Sequence, residues 1–283
     1  MAYALTWLDV FTTRPLSGNG LAVVHDADAL SDETMLGFAR ETRLSETTFV
    51  QTATESGADY RNRIWMTAGE LPFAGHPSLG TAVAVARARG ERAARYVQQT
   101  GAGLQPIEVE VGDAAAHASM LQEPAAFGPE VDAAAALQAL GLTEADANPE
   151  LPPQVVSTGI AHLMVPVHDA AALERAAPRA TELGPVLEGP GCVCAYLACL
   201  DPDGETAAAR SFFVDGSHVA EDPATGSAAG PLMAYAHART GAERLAIDQG
   251  VAIGRASRIL CEAGERVRVA GDVVALFDAT LLL

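Results

Sequence analysis

The sequence predicts an α+β protein built from two similar halves, and three observations carry that prediction. Glu70-Leu71-Pro72-Phe73-Ala74-Gly75-His76 and Glu221-Asp222-Pro223-Ala224-Thr225-Gly226-Ser227 share the pattern Glu-x-Pro-x-x-Gly. Each runs into a stretch of small apolar residues, from Ser78 and from Gly226, of the kind a helix carries when it is enclosed on all sides. Each is also preceded by an Arg-x-aromatic strand segment, Arg63-Ile64-Trp65 and Arg210-Ser211-Phe212. A pattern repeated at matched places marks an internal repeat. The chain has 283 residues, enough for two domains, and the implied architecture is two α+β domains facing each other across a cleft.

The elements follow in order. Leu5 to Phe11 reads as a strand, Pro15 to Gly18 as a turn and Leu21 to His25 as a second strand. Ser31 is placed to cap a helix with Asp32 and Glu33 in its first turn and Met35, Leu36 and Phe38 on its apolar face, running to Arg40. Thr47 to Gln51 and Arg61 to Met66 have the β-branched and aromatic content of strands, and a helix is expected from Pro77 to about Arg89. From Glu123 to Pro153 the composition shifts to Pro, Gly, Ala and acidic residues, with one short helix from Val131 to Leu140. That shift divides the chain into domains 1–122 and 123–283, with the last strand free to cross back to the first domain. In the second half, Gln154 to Val167 and Gly191 to Leu200 are strand candidates, and Gly226 to Arg239 is the second small-residue helix.

Composition narrows the chemistry. Asp and Glu number 36 against 18 basic residues, and no basic patch is concentrated anywhere, so neither nucleic acid nor an anionic membrane is an expected partner. Every basic residue is arginine; the absence of lysine removes Schiff-base chemistry, pyridoxal-phosphate attachment and a phosphate-loop lysine. No strand leads into Gly-x-Gly-x-x-Gly, which speaks against a nicotinamide-dependent oxidoreductase. Cys192, Cys194, Cys199 and Cys261 lack zinc-type spacing and read as buried thiols, so neither metal nor organic cofactor is expected. With no signal-peptide pattern and no apolar run near the roughly 20 residues that span a bilayer, the expected location is the cytoplasm.

The candidate chemistry lies where the repeated segments enter their helices. Gly75-His76 and Gly226-Ser227 would present free backbone N–H groups at a positive dipole end, a natural seat for a small anion such as a carboxylate. Either motif alone also fits a simple turn and cap. Glu46 precedes an apolar strand, yet taken by itself it reads as a solvated loop carboxylate, and His76 by itself as a helix-capping residue.

Leu8-Asp9-Val10-Phe11-Thr12, Gly18-Asn19, Leu44-Ser45-Glu46-Thr47-Thr48-Phe49-Val50, the Glu70 and Glu221 segments, and Gln249-Gly250 with Gly254-Arg255 occur in order from end to end. Together they resemble the successive signatures of the phenazine-biosynthesis isomerase (PhzF-like) family. The resemblance implies a diaminopimelate-epimerase-like fold, with two antiparallel sheets each curled around a central helix. It implies a cofactor-independent isomerase that moves a proton on a small carboxylic acid, by double-bond shift or epimerisation, as in trans-2,3-dihydro-3-hydroxyanthranilate isomerase. The family's catalytic positions fall on Glu46, His76 and Asp222, and its substrate-binding positions on Asn19, Gly75, Gly226 and Ser227. A homodimer is also implied. Related racemases place a cysteine at each helix start; here His76 and Asp222 stand in that neighbourhood, which disfavours a two-thiol mechanism. The sequence departs from the pattern at Gly20 and at Trp65-Met66-Thr67, both expected beside the cleft, where they bear on substrate choice. The alternative reading is a silent small-anion binding or regulatory protein on the same fold.

Overall fold

The computed structural model describes residues 1–201 and 204–283, which divide into two compact units, Met1–Leu121 with Ala270–Leu283 and Gln122–Val269. In the first unit the strands are β1 (Ala2–Val10), β2 (Asn19–Val24), β3 (Glu46–Gln51), β4 (Tyr60–Met66), β5 (Gly69–Leu71), β6 (Ala93–Thr100), β7 (Gly103–Val111) and β8 (Ala116–Leu121). The helices are α1 (Asp32–Thr42) and α2 (Gly75–Arg89). The second unit contains β9 (Ala126–Glu130), α3 (Ala133–Ala139), β10 (Gln154–Ser157), β11 (Ala161–Pro166), α4 (Ala170–Arg175), α5 (Ala180–Glu188) and β12 (Ala195–Leu200). It continues through β13 (Thr206–Asp215), β14 (His218–Asp222), α6 (Gly226–Thr240), β15 (Arg244–Gln249) and β16 (Ser257–Glu262), after which β17 (Arg268–Leu282) carries the chain into the first unit and pairs with β1 and β8.

Most strand pairs are antiparallel, as expected of the fold class. The exceptions are matched: β2–β3 and β4–β6 run parallel in the first unit, and β11–β12 and β13–β15 in the second. In the first unit the sheet curls around α2, which packs on β1, β2, β3, β4, β6, β7 and β8 and is buried from Gly75 to Ala86. The close fit is visible at Gly80, where a Cβ would lie 2.5 Å from Leu21 Cδ2. A helix covered all round has no polar face to show, which is why its sequence lacks amphipathic periodicity. In the second unit α6 is enclosed in the same way by β10, β11, β15 and β16.

A second apolar layer covers the outer face of each sheet. Met35 and Ala39 of α1 pack with Tyr3, Leu5, Ala22, Val24, Phe49 and Trp65. In the second unit Leu137, Leu140, Leu173, Leu183 and Leu187, from α3 to α5, cover Leu163, Val165, Leu197 and Phe212. Strands covered on both faces read as continuous apolar runs, and β2 and β12 do. Ser31 caps α1 as expected, its side chain accepting from Thr34 N–H.

Two expectations need correction. Gln154 to Val167 is not one strand but the hairpin β10–β11, broken at Gly159, whose φ of 127° favours glycine. Trp65, expected beside the cleft, faces away from α2. It pairs with Thr47 and shares the α1 layer with Phe49, while Thr48 on the opposite face bonds Thr81 of α2. Strand alternation puts Glu46 on the face of Thr48, so Trp65 and Glu46 point to opposite sides of the sheet.

Candidate functional site

In the first unit the route to the site starts at a tight turn. Asp9 is fully buried and its Oδ2 accepts from Leu16 N–H at 2.7 Å, which ties the 12–18 loop back onto β1. Gly18, at φ 65°, then runs so close to Val10 O and Thr12 that a side chain would collide. The chain enters β2 at Asn19, and the parallel register of Leu21 with Glu46 sets the start of β2 beside the start of β3.

Here Asn19, Glu46, Gly75 and His76 come together. His76 Nε2 lies 3.5 Å from Glu46 Oε2, and Asn19 Nδ2 lies 3.3 Å from His76 Nδ1. Asn19 and His76 are buried, and the Glu46 side chain is 14% exposed. Burial pushes the His76 pKa down to about 3, opposed by a hydrogen bond to the Gly20 carbonyl. The separation is that of an ion pair, yet at neutral pH the ring is uncharged. The contact is between a carboxyl group and a neutral imidazole. The residue before α2 is Ala74, which has no side chain able to cap the helix, so its first N–H groups have neither an intrahelical partner nor a side-chain cap.

The second unit brings Asp222, Gly226 and Ser227 together at the start of α6. Thr225 stands at the N-cap, but its hydroxyl makes no capping bond; it donates to Asp222 Oδ2 at 2.6 Å. The Gln249-Gly250 motif assigns Gln249 no role in the sequence alone. Its side chain is wholly buried: Nε2 donates to Asp222 O at 2.8 Å and to Thr225 Oγ1 at 3.0 Å, and Oε1 accepts from Thr225 N–H at 3.1 Å and from Tyr196 Oη at 2.8 Å. Gly250 follows with φ 74°, and a Cβ there would lie 2.5 Å from Pro223 O. In the first unit Gly101, after β6, sits against Pro72 in the same manner, at 2.9 Å from its Cα.

The repeated Arg and Glu of the sequence turn out to be partners. Arg63 makes a fork to Glu70, its Nε to Oε1 and its Nη2 to Oε2 at 2.6 Å, and its guanidinium lies over Trp65. Arg210 grips Glu221 identically, at 3.0 and 2.6 Å, and lies over Phe212. Each fork fastens a short strand or hairpin to the sheet immediately before a helix start, and paired N–H···O bonds fix orientation as well as distance. The signal for this was present as Arg-x-aromatic with Glu-x-Pro, but it becomes a contact only through the register of β4 with β5 and of β13 with β14.

The cysteines are free. Cys194 Sγ accepts from Ser211 Oγ and lies 3.1 Å from His162 Nδ1; burial pushes its thiol up to about 12 and His162 down to about 4, so both are uncharged at neutral pH. Among the described residues no group of three or more His, Cys, Asp or Glu is arranged to hold a metal ion, and no helix is long and apolar enough to cross a membrane. A recess of about 700 Å³ in the first unit is lined by His25, Arg87, Arg89, Arg92 and Asp278 at the C-terminal end of α2, away from Glu46 and His76.

The family model described as phenazine biosynthesis-like protein matches residues 8–279. Trans-2,3-dihydro-3-hydroxyanthranilate isomerase of Pseudomonas aeruginosa is 37% identical, with 98% of each chain covered, and the enzyme of the same name from Pseudomonas chlororaphis is 34% identical over the same shares. The solved structure of a predicted epimerase from Pseudomonas aeruginosa superposes with a TM-score of 0.87 at 36% identity, covering 99% of both chains. A match over nearly the whole length, to relatives named as isomerases and on a shared fold, establishes that this chain is an isomerase belonging to the phenazine biosynthesis-like protein family.

Proposed function

We propose that the chain moves a proton between two carbons of a small carboxylic acid, with Glu46 as the proton carrier. The observation that carries this reading is the contact of Glu46 with a buried, neutral His76 at the uncapped start of α2. A carboxylate beside an uncharged ring keeps its affinity for a proton, whereas a cationic partner would lower it. The proton leaves one carbon for a Glu46 oxygen, the electrons of the broken C–H bond move into the conjugated system, and the Glu46 carboxyl, whose proton exchanges with solvent, delivers a proton to a second carbon. Atoms and electrons balance without a cofactor.

His76 holds Glu46 and either gives or accepts a hydrogen bond, while Asn19 fixes the ring. The backbone N–H groups at Gly75 and those at Gly226-Ser227 are each assigned as a candidate seat for the substrate's carboxylate, and Asp222 as the second acid–base or orienting group. The substrate class we assign is the cyclic, conjugated amino acid for which the two Pseudomonas relatives are named. We also assign the protein to the cytoplasm as a homodimer, which light scattering at twice the chain mass would support.

The test is proton NMR in deuterated water with trans-2,3-dihydro-3-hydroxyanthranilate. Protein-dependent product formation with deuterium at a carbon is expected. Binding of that acid without exchange or product would replace this reading with a silent binding protein.

A further inference from the structure

The Asp222 carboxylate is aimed from a distance. Its Oδ2 takes a hydrogen bond from Thr225 Oγ1, and Thr225 is held at both ends by one side chain: its N–H donates to Gln249 Oε1 and its Oγ1 accepts from Gln249 Nε2. The same Nε2 reaches the carbonyl of Asp222 itself. Because Gln249 Nε2 donates to the Thr225 oxygen, the Thr225 hydroxyl hydrogen is left to point at Asp222. The amide cannot turn over, since its Oε1 faces the Thr225 N–H, which can only donate, and its Nε2 faces the Asp222 carbonyl, which can only accept; Tyr196 Oη adds a second donor to Oε1. Gln249 is itself immobile: it is fully buried, ends β15 in register with Ala209 of β13, and its own carbonyl accepts from Ser257 Oγ at 3.1 Å. Every donor and acceptor of the amide faces the Asp222–Thr225 turn or Tyr196, so no part of it is left for a separate packing role.

We propose that Gln249 is a positioning residue that orients Asp222 through Thr225, with Tyr196 locking the amide. The relevance to turnover rests on the function proposed above, whereas the aiming of Asp222 does not. A hydrogen bond to a carboxylate favours its charged form, so losing the ordered Thr225 hydroxyl has a readout independent of any substrate.

The experiment follows the ¹³Cγ titration of Asp222 in the full chain and in the Gln249→Leu and Tyr196→Phe variants, together with kcat on trans-2,3-dihydro-3-hydroxyanthranilate. Leucine keeps the volume of Gln249 and removes both its donor and its acceptor. The expected result is a higher Asp222 midpoint in Gln249→Leu, a smaller rise in Tyr196→Phe, and kcat lower by about ten- to a hundredfold with KM little changed. The kcat penalty of Gln249→Leu should vanish in an Asp222→Asn background, because a residue acting through Asp222 has nothing left to aim. An unchanged Asp222 midpoint in both variants overturns the proposal, as does a kcat penalty that persists in full in the Asp222→Asn background. If Gln249→Leu fails to fold, Tyr196→Phe decides by the same two readouts. A shifted midpoint combined with wild-type turnover of Asp222→Asn leaves the positioning intact and overturns only the catalytic role of Asp222.

Discussion

The two helix starts are built on one scaffold and carry different chemistry. Arg63, Glu70, Pro72 and Gly101 in the first unit recur as Arg210, Glu221, Pro223 and Gly250 in the second, with the same fork, the same cation–π contact and the same glycine against proline. Past the scaffold the likeness stops. One start presents neutral His76 against Glu46; the other presents Asp222 bonded to Thr225 and Gln249. Even the missing cap is reached by two routes, since Ala74 has no hydroxyl and Thr225 gives its hydroxyl to Asp222. The shared scaffold holds each helix start in place and leaves free what that start does.

That asymmetry is broken most severely by equalising the two carboxylates. Glu46→Gln keeps shape and most hydrogen bonding and removes the transferable proton, so kcat should fall by about 10² to 10⁴ with little change in KM. Asp222→Asn should be milder if Asp222 orients the substrate and equally severe if it carries a second proton. Steady-state kinetics on both variants decides. Near-normal turnover of Glu46→Gln would move the proton carrier to His76 or Asp222.

The forks sharpen the comparison at the level of stability. Arg210 also donates to the Leu173 and Ala176 carbonyls at 2.7 and 3.0 Å, tying down the end of α4, whereas the additional partner of Arg63 is Asp32, whose side chain is 73% exposed. Arg210→Met should therefore cost about 3–5 kcal/mol, the range for breaking a buried pair. Arg63→Met should cost less, because exposed partners contribute at most about 1 kcal/mol. Urea midpoints measure both, and equal costs would show that the α4 contacts add nothing.

How much of this was legible follows from the range of each interaction. The two buried helices, the Ser31 cap and the repeated segments are local patterns and were read from the sequence. So were the α+β class and the family. Contacts that depend on register were not: nothing in Arg63-Ile64-Trp65 says that the arginine meets Glu70, and Gln249 is 53 residues from Tyr196. Helices α4 and α5 escaped because they are short, are separated by Pro178, and α5 carries Pro185 inside it, a residue that reads as a helix breaker. Trp65 faces the α1 layer because a strand alternates faces at every residue, a placement decided by register that its nearness in sequence to Glu70 does not reveal.

The histidine in only one of the two starts gives an acid response that belongs to that start. His76 titrates near 6.5 when unfolded and at about 3 when folded. Between those values the unfolded chain takes up a proton that the folded chain refuses, so the contribution is fully present above pH 6.5 and is lost as pH falls toward 3. The slope from one such group is about 1.4 kcal/mol per pH unit. His162, held down to about 4, behaves in the same sense. His76→Gln should flatten the fall in unfolding free energy between pH 6 and about 4 by roughly one proton's worth. An unchanged slope would mean that His76 is solvated or charged in the folded protein.

The smallest expected effect concerns the two N-caps. Ala74 has extended backbone, at φ −152° and ψ 149°, the geometry in which a serine side chain reaches back to the N–H groups of the first turn. Ala74→Ser adds one oxygen and should stabilise the protein by about 0.5–1 kcal/mol, a rise of roughly 1–2 °C in Tm for a chain of this size. The same oxygen would occupy N–H groups that we assign to the substrate's carboxylate, so KM should rise while kcat is largely kept. A serine is present in all but name at the other start, where the Thr225 hydroxyl is kept from capping by Asp222 and Gln249. Gln249→Leu should therefore reproduce part of the KM rise only if the freed hydroxyl turns to cap α6. If Ala74→Ser raises Tm and leaves KM untouched, the start of α2 does not bind the carboxylate, and the start of α6 becomes the seat to test.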